Sequence, residues 1–532
     1  MKKKILLFML ITVMTVVTTG CGKRSTTNNE AEKSISMYVG GSIFSTSLDP
    51  IKGAMSYGYS FTNCALLRVN SDSEYEGDLA EDWIISEDGI AYTFNLRKDV
   101  KFQDGSDFTA EDVVFTYETV KNNQADNENV DLTKLKSVEA VDDYTVKFTL
   151  NQAYSPFLDL TAKLGIVPSD NYDSEKFNEY PIGTGPWKIT QYNTDQQIIV
   201  EANENYYEGK PEIEKVTFVN MDDKSAFSNA KSGQLDIVMV GPSYTSEQID
   251  GMSLINFDTM DVRNISLPCR PEETVTDKAG KQVKIGNNVT SDIAIRKALS
   301  IGIDRQKIIK DALNGIGKPA EAFIDKVRWG GVVSYKDNQK DEAKKLLQEA
   351  GWTDGNNDGI REKNGINCEF TVYAAANDQQ RYLLASAASE EAKELGIKIN
   401  VKQTSWDEIY ANCNANGVVW GWGQYSPIVL QNLLYSKVFL DGGTKNTVGY
   451  SNEKVDELID KALNSNNQDY AIKCWQEAQK ISGDEYPYLY IVNIEHSYFI
   501  SNSIDISKNT QIPHPHGHGS PIICNMKDWK IK

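Results

Sequence analysis

Glu369-Phe-Thr-Val-Tyr-Ala374, then Asp378 to Leu395, Gly396, and Ile397, Ile399 and Val401 form the stretch that decides the fold. The first six residues are rich in aromatic and β-branched side chains and read as a strand. Asp378 to Leu395 carries the longer period of a helix. Gly396 is its stop, because glycine takes the left-handed backbone that ends a helix without a Cβ penalty. Ile397, Ile399 and Val401 alternate as the next strand. Ser405-Trp-Asp-Glu408 reads as a capping box that opens another helix. Strands alternating with helices in this order need a mostly parallel sheet covered by helices, so the fold class is α/β.

The same period extends outward. Ile293 to Leu299, Ile308 to Leu313 and Asp341 to Ala350 are helical, the last stopped by Gly351. Asn452 to Leu463 is an amphipathic helix with Val455, Leu458, Ile459 and Ala462 on one face. Before about Asp292 the period is two. Tyr92, Phe94 and Leu96 alternate, as do Val100 and Phe102, and Tyr144 to Leu150, Gln197 to Ala202 and Val216 to Val219 are further strands. Thr109 is the N-cap of a helix whose apolar face starts at Val113, Val114 and Tyr117. Pro181-Ile-Gly-Thr-Gly-Pro186 is a turn cluster that suits a domain boundary.

The chain has 532 residues, 55 Lys+Arg against 75 Asp+Glu, and a formal net charge of −20. That length predicts several domains and a core that needs no disulfide staples. The acidic balance excludes a nucleic-acid partner, because phosphate binding needs clustered Lys and Arg. The apolar run Ile5 to Val17 follows Lys2, Lys3 and Lys4 and precedes the small residues Thr18, Thr19 and Gly20. This is signal-peptide architecture. Gly20-Cys21 resembles a bacterial lipoprotein cleavage site, with Cys21 lipidated and Gly22 to Lys33 as a flexible tether.

Motifs for chemistry are mostly absent. No Walker-type phosphate loop, dinucleotide fingerprint or H-E-x-x-H occurs, and no C-x-x-C pair exists among the seven Cys. Asp354-Gly-Asn356-Asn-Asp358-Gly359 looks like a calcium loop, but its twelfth position is Gly365, so it reads as a polar turn. All four His lie late in the chain, at His496, His514, His516 and His518. In an extended segment His514, His516 and His518 would face one side and could hold Ni²⁺, Cu²⁺ or Zn²⁺, or they are solvated or structurally hydrogen-bonded. Trp420-Gly-Trp422-Gly-Gln-Tyr425-Ser-Pro427 reads as an aromatic loop of a ligand cleft, or as core packing at a strand end.

Leu79-Ala-Glu-Asp-Trp83, Ser86-Glu-Asp-Gly89, Tyr92-Thr-Phe-Asn-Leu-Arg97, Val100-Lys-Phe-Gln-Asp-Gly105 and Phe108-Thr-Ala-Glu-Asp-Val113 belong together. So do Pro181 to Trp187, Ala202-Asn-Glu-Asn-Tyr-Tyr207, Ser232-Gly-Gln-Leu-Asp236, Ile295-Arg-Lys-Ala-Leu299 with Ile303-Asp-Arg305, Ala343 to Trp352 with Asp358 to Glu362, and Gly449-Tyr-Ser-Asn452 with Val455 to Leu458. The ensemble resembles the extracytoplasmic solute-binding proteins of ATP-binding-cassette importers for peptides and nickel, bacterial family 5, over nearly the whole chain.

The resemblance implies a two-lobed periplasmic-binding-protein-like fold of the large type II cluster, with an extra β-rich domain inserted in lobe I. Lobe I would be residues 34–75, 181–265 and 490–532, the insert 76–180, and lobe II 266–489, after a signal peptide at 1–20 and a tether at 21–33. It implies no catalysis and no cofactor. The expected work is capture of a peptide by hinge closure and delivery to a permease and its ATPase, by a monomer lipid-anchored to the outer face of a bacterial cell membrane. A nickel or other metal chelate is the alternative ligand, with Ni²⁺ or Zn²⁺ as cargo, and a peptide sensor for signalling is a further alternative. Peptide-binding members carry an Asp where this chain has Gln424, so the charge-assisted contact to a free amino group is lost. The expected ligand contacts are Tyr57, Tyr59, Trp420, Trp422, Gln424 and Tyr425, with Arg263 and Arg270 beside a hinge segment as partners of a ligand carboxylate. The expected metal ligands are His496, His514, His516 and His518.

Overall fold

The computed structural model describes residues 33–40, 43–44, 47–54, 61–127, 129–324, 326–331, 333–507 and 521–532. Cys21, Tyr57, Tyr59, His514, His516 and His518 lie outside the described residues.

One eleven-stranded mixed sheet organises the described chain. Its neighbours run Lys398–Thr404, Glu369–Ala375, Gly417–Trp422, Met252–Ser266, Tyr488–Ser501, Ile237–Val240, Ser34–Tyr38, Lys215–Val219, Gln197–Ala202 and Trp187–Asn193, with Lys318–Pro319 also paired to Tyr488–Ser501. The parallel pair Lys398–Thr404 and Glu369–Ala375 is the α/β unit read from the sequence, and Gly417–Trp422 joins it as a third parallel strand. Its helix Gln379–Lys393 starts where the Asp378 side chain accepts from the Arg381 backbone N–H at 3.2 Å. It stops before Gly396, whose φ is +79°. Ser405 caps Trp406–Asn412 in the same way, accepting from Glu408 N–H at 3.3 Å.

The middle of the sheet is the antiparallel pair Met252–Ser266 and Tyr488–Ser501, in register from Met252 opposite Ser501 to Ser266 opposite Tyr488. A bulge interrupts the pair between Asp258 and Val262. Strands from before residue 241 extend the sheet on one side of this pair, and strands from 369–422 extend it on the other.

A separate four-stranded antiparallel sheet, in the order Ala80–Ile85, Ala91–Leu96, Thr145–Leu150, Leu135–Asp142, packs against the helix Ala110–Asn122. Tyr92, Phe94 and Phe148 point inward, as the period of two requires, Tyr117 meets them from the helix, and Phe148 meets Phe94 edge-on at 5.5 Å. Truncating a ring so enclosed costs about 3–5 kcal/mol. Four further cores lie on the faces of the large sheet, around Trp475 and Trp420, around Leu299 and Leu384, around Trp187 and Trp529, and around Val238 and Phe499.

Candidate functional site

A cleft of about 650 Å³ lies between two walls. One wall comes from residues 129–163 and carries Asn129, Asp131, Tyr154, Pro156, Asp159 and Lys163; the other comes from 424–445 and carries Gln424, Tyr425, Gln431, Asn432 and Lys445. Local sequence explains the second wall. The helix Ile428–Leu434 buries Val429, Leu430, Leu433 and Leu434, which leaves Ile428, Gln431 and Asn432 on the opposite, cleft-facing stripe. The chain beyond it is held by Asn446, fully buried, whose amide donates to the carbonyls of Tyr435 and Tyr450 at 3.1 and 2.9 Å. Tyr425 is fixed through its carbonyl, which accepts from the Trp329 indole N–H at 2.7 Å.

The first wall carries a buried charge. Asp159 sits in the short helix Phe157–Thr161 with its side chain 2% exposed, and its Oδ2 lies 2.9 Å from Lys163 Nζ. Burial, then the charges of Asp131 and Asp159, push the Tyr154 hydroxyl well above its ordinary range. The cleft therefore presents two carboxylates, two ammonium groups, several amides and two tyrosines. A smaller cavity of about 80 Å³ adjoins it through Ala162 and Lys163 and is lined by Cys64, Arg68, Asp78 and Lys527. Burial pushes the Asp78 carboxyl up to about 6, against the pull of the Tyr207 hydroxyl that donates to it and of Arg68.

Gln424 and Tyr425 thus line the cleft, and the other described candidates lie elsewhere. Gly417–Trp422 is a strand, so the stretch read as an aromatic loop is loop only from Gly423 onward. Trp420 and Trp422 are core residues on that strand, 5.8 Å apart. Trp420 stacks on Trp406 at 6.0 Å, and its indole N–H donates to Ser266 Oγ at 3.2 Å. Arg263 lies within the long strand, 5% exposed, with its guanidinium 2.8 Å from Asp261 Oδ2 and 3.7 Å from Asp378 Oδ2. Gly421 pairs with Arg263, and a Cβ there would sit 2.6 Å from the guanidinium, so only glycine leaves room for the ion pair. Arg381 completes the cluster, donating to Asp378 at 2.8 Å and lying over the Trp406 ring. Burial and the like charge of Arg263 pull Arg381 down to about 10. Burial raises Asp378, but the two guanidiniums outweigh it and hold the carboxyl below its ordinary value.

Arg270 donates to the Gly449 carbonyl at 2.9 Å and lies over Phe439, away from the cleft lining. His496 is buried opposite Phe257 and is not part of that lining either. Among the described residues no group of three or more His, Cys, Asp or Glu is arranged to hold a metal ion. Asp354, Asn356 and Asp358 spend their oxygens on backbone N–H groups of their own turn, as a polar turn should. Asp159 and Lys163 were missed, though an acid inside the apolar run Pro156 to Leu160 is the mark of a buried, partnered charge.

The cleft lies where the parallel strands end. Gly417–Trp422 delivers Gln424 and Tyr425 just past its carboxyl end, the position at which open α/β sheets bind ligands. The sequence profile of bacterial extracellular solute-binding proteins, family 5 middle, matches residues 74–438.

The chain belongs to that family.

This solute-binding protein is 31% identical to Protein XP55 of Streptomyces lividans over 475 residues, covering 86% of the chain and 83% of the relative. It is 28% identical to the oligopeptide-binding protein AppA of Bacillus subtilis over 537 residues, covering 92% and 94%. Its fold matches NikA of Brucella suis, solved with Fe(III)-EDTA, with a TM-score of 0.79 at 21% identity, covering 94% of this chain and all of that one. Membership makes it an extracytoplasmic binding protein of an importer system and not an enzyme. No helix among the described residues is long and apolar enough to cross a membrane.

Proposed function

We propose that this solute-binding protein captures peptides between two lobes that close over them, and delivers them to a membrane permease. The observation that carries this is the composition of the cleft: Asp131 and Asp159 with Lys163 and Lys445, among amides and tyrosines, in about 650 Å³. Asp131 on one wall and Lys445 on the other suit a ligand with both an ammonium and a carboxylate, while Asp159 and Lys163 already pair with each other, and amides suit its peptide groups. The name of AppA, an oligopeptide-binding protein, points the same way. Lobe I is assigned to 34–75, 181–265 and 490–532, the insert to 76–180 and lobe II to 266–489, with Met252–Ser266 and Tyr488–Ser501 passing between the lobes. Gln424 and Tyr425 are the assigned ligand contacts. Arg263, already paired with Asp261, is assigned to the scaffold. A lipid on Cys21 would tether the monomer to the outer face of the membrane through residues 22–33.

Native mass spectrometry of residues 22–532, purified without a metal-affinity tag and then denatured, tests the ligand class. Release of a ladder of peptide masses is the expected result. Release of one species with a nickel or zinc isotope pattern would overturn the reading in favour of a metal chelate.

A further inference from the structure

The two walls of the cleft also touch outside it. The Ser155 backbone N–H donates to the Leu463 carbonyl at 2.9 Å, and Ser155 Oγ donates to the Ala462 carbonyl at 2.8 Å. Both carbonyls belong to the last turn of the helix Glu453–Leu463, where backbone acceptors lack a partner within the helix. Gln468 returns the contact by donating to the Ser155 carbonyl at 2.9 Å, and Gln152 donates to Asn464 Oδ1 at 2.8 Å. A second point of contact is the turn at Gly89. Asn466 donates to the Glu87 carbonyl, and a Cβ on Gly89 would stand 2.6 Å from Asn466 Cβ. None of these residues lines the cleft, yet Tyr154 and Pro156, on either side of Ser155, do.

We propose that Ser155, Gln152 and the Gly89 turn form a latch onto residues 462–468 that holds the cleft shut, and that it scales affinity for every ligand by one common factor. The inference rests on the two-lobe reading above. A contact made only in the closed form raises the closed population, and apparent affinity follows that population whatever the cleft contains. Ser155 is here a positioning residue, since it acts on the ligand only through closure.

Amide hydrogen exchange of the ligand-free full chain reads the latch without any ligand, so its outcome is independent of the peptide assignment. Gly89→Ala is expected to speed exchange at the Ser155 N–H about tenfold, the scale of one or two lost hydrogen bonds. Gly105→Ala is the control. Gly105 also has a left-handed φ, +91°, but its added Cβ meets nothing, so Ser155 exchange should not change. Ser155→Ala and Gln152→Ala serve if the Gly89 variant does not fold. Unchanged exchange at Ser155 in the Gly89 variant, or an equal rise in the Gly105 variant, would overturn the proposal. As a second readout, affinities for trialanine and for a mixed-sequence nonapeptide should fall by the same factor in Ser155→Ala; loss for only one of them also overturns it.

Discussion

Replacing Arg263 by Met separates a structural guanidinium from a ligand-binding one. The Asp261 carboxylate is fully buried, its oxygens have no hydrogen-bond donor among the described residues, and Arg263 at 2.8 Å is the charge that balances it. At an effective dielectric constant near 20, two unit charges at that distance attract by about 6 kcal/mol. Desolvation of both groups offsets much of this, so the intact pair adds little net stability. Breaking it is different. Arg263→Met leaves the carboxylate buried without its partner at 2.8 Å, with the Arg381 charge still acting on it, and should cost about 3–5 kcal/mol of stability. Arg263→Met/Asp261→Leu removes both charges, keeps similar volume, and should recover most of that loss. Urea unfolding of the ligand-free protein, followed by tryptophan fluorescence, measures both. The peptide arm uses a nonapeptide with a free or an amidated carboxyl end; Arg263→Met should weaken both alike. An unchanged unfolding midpoint in Arg263→Met, or a double variant no better than the single, would refute the argument. Selective loss of the free-acid peptide would return Arg263 to the ligand.

Three other outcomes are expected. The Asp78 carboxyl at about 6 in the folded state, against an ordinary 3.8, means that the folded protein holds more protons than the unfolded chain between those values. Its contribution therefore stabilises as pH falls from 7 towards 4, by up to about 3 kcal/mol, and thermal midpoints of the Asp78→Asn variant measured across that range should lack this rise relative to the parent. Gln424→Asp places a carboxylate on the cleft wall and should favour peptides with a free amino end over N-acetylated ones by about tenfold in calorimetric titration; equal affinities would remove Gln424 from the ligand contacts. Cys64, Cys269, Cys368, Cys413 and Cys474 are free thiols, so a reducing agent should leave the thermal midpoint unmoved, and alkylation in denaturant should label all five.

The α/β unit at 369–412 was legible because every signal in it is local. The caps at Asp378 and Ser405, the stop at Gly396 and the period of the helix between them each involve neighbours in sequence. The same holds for the hairpin strands around Tyr92 and Tyr144. The long central pair was not legible, because Met252 finds Ser501 through packing that no short-range pattern encodes. The site was legible only in part. Gln424 and Tyr425 could be placed because they follow a strand end, whereas Trp420 and Trp422 read equally well as cleft or core, since an indole suits both. Asp159 and Lys163 pair locally at i,i+4, but their approach to Lys445 waits for the two walls to come together, and nothing near them in sequence announces that meeting.

The strand Tyr488–Ser501 stands in the middle of the sheet, with Met252–Ser266 on one side and Ile237–Val240 on the other, yet it is synthesised after nearly all its neighbours. Until it emerges, the sheet is two pieces with facing, unsatisfied edges and no seam between them. Order of synthesis and order of neighbours run against each other. The central seam of the sheet closes only once residues 488–501 are available. The late strand therefore sets the order of assembly: the two halves of the large sheet and the separate four-stranded sheet can form apart, and joining the halves waits for residues 488–501.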